Sequence, residues 1–185
     1  SDSLYLPKII QTSKADADPK DRINYHNYDN KGNPTELSKA NATHIVYLWG
    51  YNKTQPIAKI ENATFEQVTS AITTLPSAYN TLEKIQELSN VDSDRKVDVI
   101  KADGSITKVG KEGDLREALR ALRNHDNLSE TQITSYTYDP LIGVTSITDP
   151  RGNVMYYHYD EFNRLQFVKD KDGYILSQNE YYYKK

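Results

Sequence analysis

YTYDPLIGVTSITDPRGNVMY (Tyr136–Tyr156) is followed without a gap by YHYDEFNRLQFVKDKDGYILS (Tyr157–Ser177). Written one above the other, the two segments show a repeat of 21 residues. Tyr136 meets Tyr157, Tyr138 meets Tyr159, Asp139 meets Asp160, Asp149 meets Asp170 and Gly152 meets Gly173. Apolar positions match as well: Leu141 with Phe162, Val144 with Leu165, Ile147 with Val168, Val154 with Ile175, Met155 with Leu176. Self-similarity at a fixed short period marks a supersecondary unit that stacks on its neighbours. Tyr136 and Tyr138 alternate with a period of two, which places both rings on one face of a strand. Asp139-Pro140 and Asp160-Glu161 open turns, because an Asp side chain bonds the backbone two residues on. Gly143 and Asn163 fall where a positive φ is wanted. Asp149-Pro150-Arg151-Gly152 and Asp170-Lys171-Asp172-Gly173 read as second turns. Each unit is therefore strand, turn, strand, turn, and successive units make one antiparallel sheet.

Working outward, Tyr28-Asp29-Asn30-Lys31-Gly32-Asn33 is a weaker third copy, with its Gly one place earlier than Gly143 and no Asp-x-x-Gly at the next turn, near Asn41. Two strands follow, Thr43–Tyr51 and Pro56–Ile60, around an Asn52-Lys53-Thr54 turn. The chain has 15 Tyr: five within 1–51, one (Tyr79) within 52–135, nine within 136–185. The middle is helical in pattern. Thr64 with Gln67 makes a capping box before Phe65, Val68, Ile72 and Leu75. Pro76 ends that helix and is suited to the first turn of the next, with Tyr79, Leu82, Ile85 and Leu88 on one face. Asp114 with Glu117 reads as a further capping box before Leu115, Ala118, Leu119 and Leu122. Val97–Ile100 and Ser105–Val109 flank Asp103-Gly104, a hairpin turn pair. Ser89–Lys96 is polar and reads as a mobile connection.

The expected fold is α+β: a twisted antiparallel sheet of repeat hairpins with a helical insertion packed on one face. Its parts are a β segment over 1–63, the insertion over 64–130 with the hairpin at 97–109, and a β segment over 131–185. Strands are expected at Asn24–Tyr28, His44–Tyr51, Ile57–Ile60, Gln132–Tyr138, Val144–Ile147, Val154–Tyr159, Leu165–Val168 and Ile175–Tyr182. Helices are expected at about 65–75, 77–89 and 114–124.

Composition narrows the function. Lys and Arg number 23 against 26 Asp and Glu, a formal charge of −3, so nucleic acid is not an expected partner. Cysteine is absent, which removes disulfides, thiol nucleophiles and thiolate zinc sites. The longest apolar run, Ile45–Trp49, is too short to span a bilayer as a helix. SDSLYLPKII has no secretory leader pattern, and the chain reads as a piece of a longer protein. His26, His44, His125 and His158 form no ligand pair and read as ordinary strand-face or surface histidines. Asp170-x-Asp172-Gly173 and Asp16-x-Asp18 lack the remaining oxygens of a calcium loop. Asp139, Asp149, Asp160 and Asp170 are set by the repeat, which favours architecture over a glycosidase pair. No G-x-S-x-G, G-x-G-x-x-G or phosphate loop is present. No catalytic residue, cofactor or metal is expected. Four Asn-x-Ser/Thr matches, at Asn41, Asn52, Asn62 and Asn127, read as chance.

The Tyr-x-Tyr-Asp opening, the turn with Asn163-Arg164-Leu165 and the second turn ending in Gly173 resemble the YD repeat of Rhs-type proteins. YHNYDNKGNPTEL (25–37), YLWGYNKTQPIAKIENAT (47–64) and YTYDPLIGVTSITDPRGNVMYYHYDEFNRL (136–165) resemble Rhs-type proteins of Bacteroidetes in particular, and the likeness covers residues 5–68 and 114–185. The motif residues that carry it are Tyr28, Asp29, Gly32, Tyr138, Asp139, Gly152, Tyr159, Asp160, Arg164 and Gly173. The resemblance implies long antiparallel sheets that in large members spiral into a shell around a C-terminal toxin, at the cell surface or secreted, with carbohydrate binding in some members. About three repeats are too few to close a shell. The expected function is thus a non-catalytic scaffold or encapsulation segment, secreted or at the cell surface, whose partners are neighbouring repeats of the parent chain. The alternative is a carbohydrate- or protein-binding module that uses Tyr47, Trp49, Tyr51, Tyr156, Tyr157 and Tyr159 as aromatic platforms. Buried rings favour the scaffold. The C-terminal strand, Ile175–Tyr183, is the expected open edge and the expected route to weak self-association.

Overall fold

A computed structural model describes residues 5–15, 17–90, 97–100, 106–109 and 111–184. Strands β1 (Ile9–Thr12), β2 (Lys20–Tyr28), β3 (Pro34–Lys39), β4 (His44–Gly50) and β5 (Gln55–Glu61) precede helices α1 (Phe65–Thr73) and α2 (Leu82–Asn90). A two-stranded hairpin follows, β6 (Val97–Ile100) with β7 (Ile106–Val109), then α3 (Lys111–Arg123). Strands β8 (Gln132–Asp139), β9 (Gly143–Thr148), β10 (Val154–Tyr159), β11 (Leu165–Asp170) and β12 (Ile175–Gln178) complete the described chain. The main sheet has ten strands in the order β1-β2-β3-β4-β5-β8-β9-β10-β11-β12. All its pairs are antiparallel. It is a meander in which each strand lies beside the next, and β5 passes directly to β8 across the insertion, with Ile60 opposite Ile133.

The helices pack on one face of that junction. Val46, Leu48, Ile57, Ile60 and Ile133 of the sheet meet Val68, Ile72, Ile85, Leu115, Leu119 and Leu122 of the helices, all essentially inaccessible to solvent. Burying a Leu or Ile side chain contributes roughly 1.5–3 kcal/mol, so this contact dominates the stability of the molecule. Outside it, the sheet ends are thinly covered: Ile9, Ile10, Leu141, Phe162, Tyr174, Ile175 and Leu176 are exposed.

Four hairpins close with one and the same turn. At Asp29, Asp149, Asp160 and Asp170, the N–H three residues on donates to the Asp carbonyl, and the Asp N–H donates to the carbonyl four residues on. The residue three places on has positive φ: Gly32 (84°), Gly152 (86°), Asn163 (59°) and Gly173 (88°). Each side chain adds further bonds. Asp160 Oδ1 accepts from the N–H of Phe162 at 2.9 Å and of Arg164 at 3.0 Å, and Asp29 Oδ1 accepts from Lys31 at 2.8 Å and Asn33 at 2.9 Å. These donors favour the ionised carboxylate. The Arg164 side chain, aided by those N–H groups, holds Asp160 below the ordinary Asp value, and Asn153 does so for Asp149. At Asp29, burial acts the other way and is outweighed by the bonds from Asn33 and Lys31, so its carboxyl is lowered too.

The expected strands are all present, with four differences of detail. Strands β1 and β3 were not expected: Pro34 and the polar run Glu36, Ser38, Lys39 hide β3, whose Glu36 and Ser38 are buried. The turn near Asn41 has the same backbone bonds as the Asp turns, with Lys39 in the place of Asp and Ala42 (φ 63°) in the place of Gly. Gly143 is not the counterpart of Asn163. It lies one place further on, and an added Cβ there would come 2.7 Å from the Tyr159 hydroxyl. The last strand stops at Gln178 rather than Tyr182, because the tail turns so that the Tyr181 hydroxyl donates to the Leu165 carbonyl at 2.8 Å.

Among the helices, the Thr64–Gln67 capping box is present. Pro76 does not start α2. The helix begins at Leu82, where the Thr81 hydroxyl accepts from the Lys84 N–H at 3.3 Å, a cap that proline lacks. The Asp114–Glu117 box is not the start of α3, which begins at Lys111 with Glu112 and Asp114 in its first turn, where the helix dipole favours them. The expected turn pair Asp103-Gly104, residues 91–96 of the polar connection, and Asp16 lie outside the described residues.

Three measurements check this account. Leu119→Ala should cost about 2–5 kcal/mol in urea denaturation, whereas exposed Leu141→Ala should stay within about 0.5 kcal/mol. Ala42→Gly should stabilise by about 0.5–1 kcal/mol, because a Cβ in the left-handed region is strained. Stability should fall with acid: carboxylates lowered on folding contribute fully above the ordinary Asp value of 3.8, and the contribution is lost as pH drops through their folded values. Asp29→Asn combined with Asp149→Asn should flatten that slope.

Candidate functional site

The six aromatic residues do not share one surface. Tyr47 and Trp49 are half-buried, their ring centroids 6.4 Å apart, and the Trp49 indole N–H donates to the Pro34 carbonyl at 2.9 Å. Tyr51 leaves their face. The strand ends at Gly50, and Tyr51, Asn52 and Lys53 all take left-handed conformations (φ 51°, 56° and 63°). This swings Tyr51 into the core, only 4% exposed, edge-on to Tyr138 at 5.4 Å, with its hydroxyl accepting from the Tyr138 N–H at 2.7 Å. Such a run is costly for L-residues. Here the end of α2 holds it: Ser89 Oγ accepts from the Tyr51 N–H at 2.8 Å, and Asn90 Oδ1 from the Asn52 N–H at 2.6 Å.

Tyr156, Tyr157 and Tyr159 are half-buried on β10. Tyr156 turns towards α3, where the Arg116 guanidinium sits 5.5 Å from its ring centre. The Tyr159 hydroxyl donates to the Val144 carbonyl at 2.9 Å, and the Tyr28 hydroxyl similarly donates to the Pro7 carbonyl. In both cases a tyrosine placed just before a turn Asp ties its hairpin to an earlier stretch of backbone. Arg164 bonds Asp160 and lies against the rings of Phe162, Tyr181 and Tyr183, nearest to Tyr181 at 4.4 Å.

The carboxylates considered for hydrolysis serve their own turns. Asp139 Oδ1 accepts from the Leu141 N–H at 3.1 Å, and Asp170 Oδ1 from Asp172 and Tyr174, each at 2.9 Å. His26 and His44 stack at 5.1 Å, with His26 bonded to Ser38 and His44 to Glu36. The Glu36 carboxylate also accepts from the Phe65 N–H at the start of α1. Among the described residues, no group of three or more His, Asp or Glu is arranged to hold a metal ion. No helix among them is long and apolar enough to cross a membrane.

A cleft of about 560 Å³ lies between α3 and the β9–β10 turn. Arg116, Arg120, Arg123 and Arg151 line it, with Glu117 as the acid in its wall and Asn124, Ser129 and Thr131 among its uncharged polar groups. Three of the arginines come from α3 at spacings of four and three, which places them on one helix face. That pattern, R-x-x-x-R-x-x-R, is legible in the sequence but is masked by the near-neutral total charge. Glu112, 2% exposed, anchors the cleft from behind: it pairs with Arg116 and accepts from the Thr137 hydroxyl at 2.7 Å. Glu117 pairs with Arg120 at 2.7 Å. Arg123 is held by neutral groups, Nε donating to the Ile133 carbonyl at 3.1 Å and an Nη to the Ser135 hydroxyl at 2.6 Å. Burial lowers the proton affinity of Arg123, and the Asp149 charge opposes that effect.

No known protein family matches the chain, and no curated protein does. Among solved structures, a chain in the crystal structure of TcdB2-TccC3-TEV is similar over 88% of the present chain, with 13% identity and a TM-score of 0.25. The chain spans 8% of that neighbour's length.

The burial of the Tyr138 ring has a spectroscopic test. Burial pushes the Tyr138 hydroxyl up to about 12, with Tyr136 adding to the shift. In an alkaline absorbance titration one tyrosine should ionise near 12 and be lost in Tyr138→Phe. A raised value means that this stabilisation is present below the ordinary tyrosine value of 10.0 and disappears as pH rises through about 12.

Proposed function

We propose that the chain is a non-catalytic scaffold segment of a Rhs-type YD-repeat protein, secreted or displayed at the cell surface and related to toxin delivery. The observation that carries this reading is the meander itself. Hairpins closed by one turn recur at short intervals, 10 residues from Asp29 to Lys39, 11 from Asp149 to Asp160 and 10 from Asp160 to Asp170. Sheets built this way extend by adding further hairpins at either end. The end strands suit that role: β1 and β12 are exposed along their whole lengths, each pairing with one neighbour among the described residues.

The rings support the scaffold over the binding module. Tyr51 is in the core, the Trp49 indole N–H is spent on backbone, and the Tyr159 hydroxyl ties one hairpin to another. A non-enzymatic reading is supported by the turn carboxylates, each bonded within its own turn. The Tyr-Asp motifs at Tyr28, Tyr138 and Tyr159 supply the link to the Rhs type.

Edge pairing is the testable property. In sedimentation velocity the chain should associate weakly with rising concentration, because a free strand edge offers unpaired N–H and C=O groups. Leu176→Lys, or truncation after Ser177, should weaken that association. A chain that stays monomeric at high concentration in all three forms refutes extension through this edge.

A further inference from the structure

We propose that the cleft between α3 and the β9–β10 turn binds a small hydroxylated monocarboxylate. The argument starts from charge. Four guanidiniums line the cleft against one carboxylate in its wall. Glu112 stands behind Arg116, and Asp149 acts on Arg123 from the turn. Counting those two acids, four positive charges face three negative ones, which leaves room for one more negative charge. A phosphate dianion overshoots that balance, and a carboxylate meets it.

The position of the unmatched charge is specific. Arg116 and Arg120 already hold glutamates, whereas half-buried Arg123 has no carboxylate within ion-pair distance among the described residues. Among the described residues its hydrogen bonds go to a carbonyl and a hydroxyl, and Asp149 acts on it only from beyond ion-pair distance. A partly desolvated guanidinium gains most from an anion that accepts two parallel N–H bonds. Arg151, on the exposed Asp149–Asn153 turn, supplies a second cation from the opposite wall.

The rest of the wall combines polar uncharged side chains with the apolar surfaces of Leu128, Pro150 and Val154 and the Tyr156 ring. Asn124, Ser129 and Thr131 offer hydrogen bonds suited to hydroxyls. About 560 Å³ is within the usual range for small-molecule sites and exceeds what a bare carboxylate fills. These features do not depend on the scaffold reading, and a scaffold segment that fails to self-associate can still hold this ligand.

Isothermal titration calorimetry of the whole chain with gluconate tests the proposal, with acetate, glycerol and inorganic phosphate as comparators. Gluconate should bind more tightly than each comparator, and its affinity should fall with added salt. Arg151→Gln, at an exposed position, should weaken it by about tenfold, the loss of one charge-assisted contact, and Arg120→Gln, also exposed, should weaken it because Glu117 is left as an unpaired negative charge in the cleft wall. Arg123→Lys, which keeps the charge but removes the fork, should weaken it further. The proposal is overturned if phosphate or acetate binds as well as gluconate, if glycerol does so, if gluconate gives no heat, or if both exposed variants bind as the parent does.

Discussion

Ile60 stands opposite Ile133 across an antiparallel ladder, and the rest of the molecule depends on that pairing. Two strands separated by an insertion of some seventy residues (62–131) are made immediate neighbours. The insertion must therefore leave and return at one place, and its three helices have one sheet face to cover. Closing so long a loop is entropically unfavourable, although the cost grows only slowly with length. What offsets it is the apolar contact on both sides of the ladder, where Val46, Ile60 and Ile133 meet Leu119 and Leu122.

The same constraint builds the cleft. Because β8 follows α3 and pairs with β5, α3 is brought down over β8, and the β9–β10 turn, at Asp149–Asn153, lies beside it. The interface there is polar: Thr137, Ser146 and Glu112 are buried, with the Thr137 hydroxyl bonded to both of the others, and Arg123 reaches Ser135. A buried carboxylate such as Glu112 is tolerated when it is paired and bonded. It fixes the face that α3 presents, and because Arg116, Arg120 and Arg123 follow Glu112 at spacings of four, four and three, that face carries the arginines into the cleft.

Much of the sheet was legible because the turns carry its information locally. Asp160-x-x-Asn163 and Asp170-x-x-Gly173 announce both a side-chain acceptor and a residue that takes positive φ, and strands of period two lie between them. The Lys39–Thr43 turn has the same backbone with neither signal, so β3 was hidden. Tyr51 misled for a related reason. Alternation from Tyr47 and Trp49 puts it on their face, but three left-handed residues redirect it, and the groups that sustain them, Ser89 and Asn90, lie far along the chain. The cleft was missed because α3 shows one basic face to the sequence, while Arg151 joins it only through the fold.

The meander topology has a mechanical consequence. A load applied through β1 and β12 acts on edge strands that, among the described residues, are bonded to a single neighbour each. Antiparallel hairpins pulled from their free ends open one rung at a time, like a zipper, rather than shearing all rungs together. Peeling should proceed inward from both margins through the thinly covered hairpins and stall at the ladder of β4, β5 and β8, where each strand carries helix-facing side chains as well as hydrogen bonds. The molecule thus joins a resistant hub to two margins that yield in small steps.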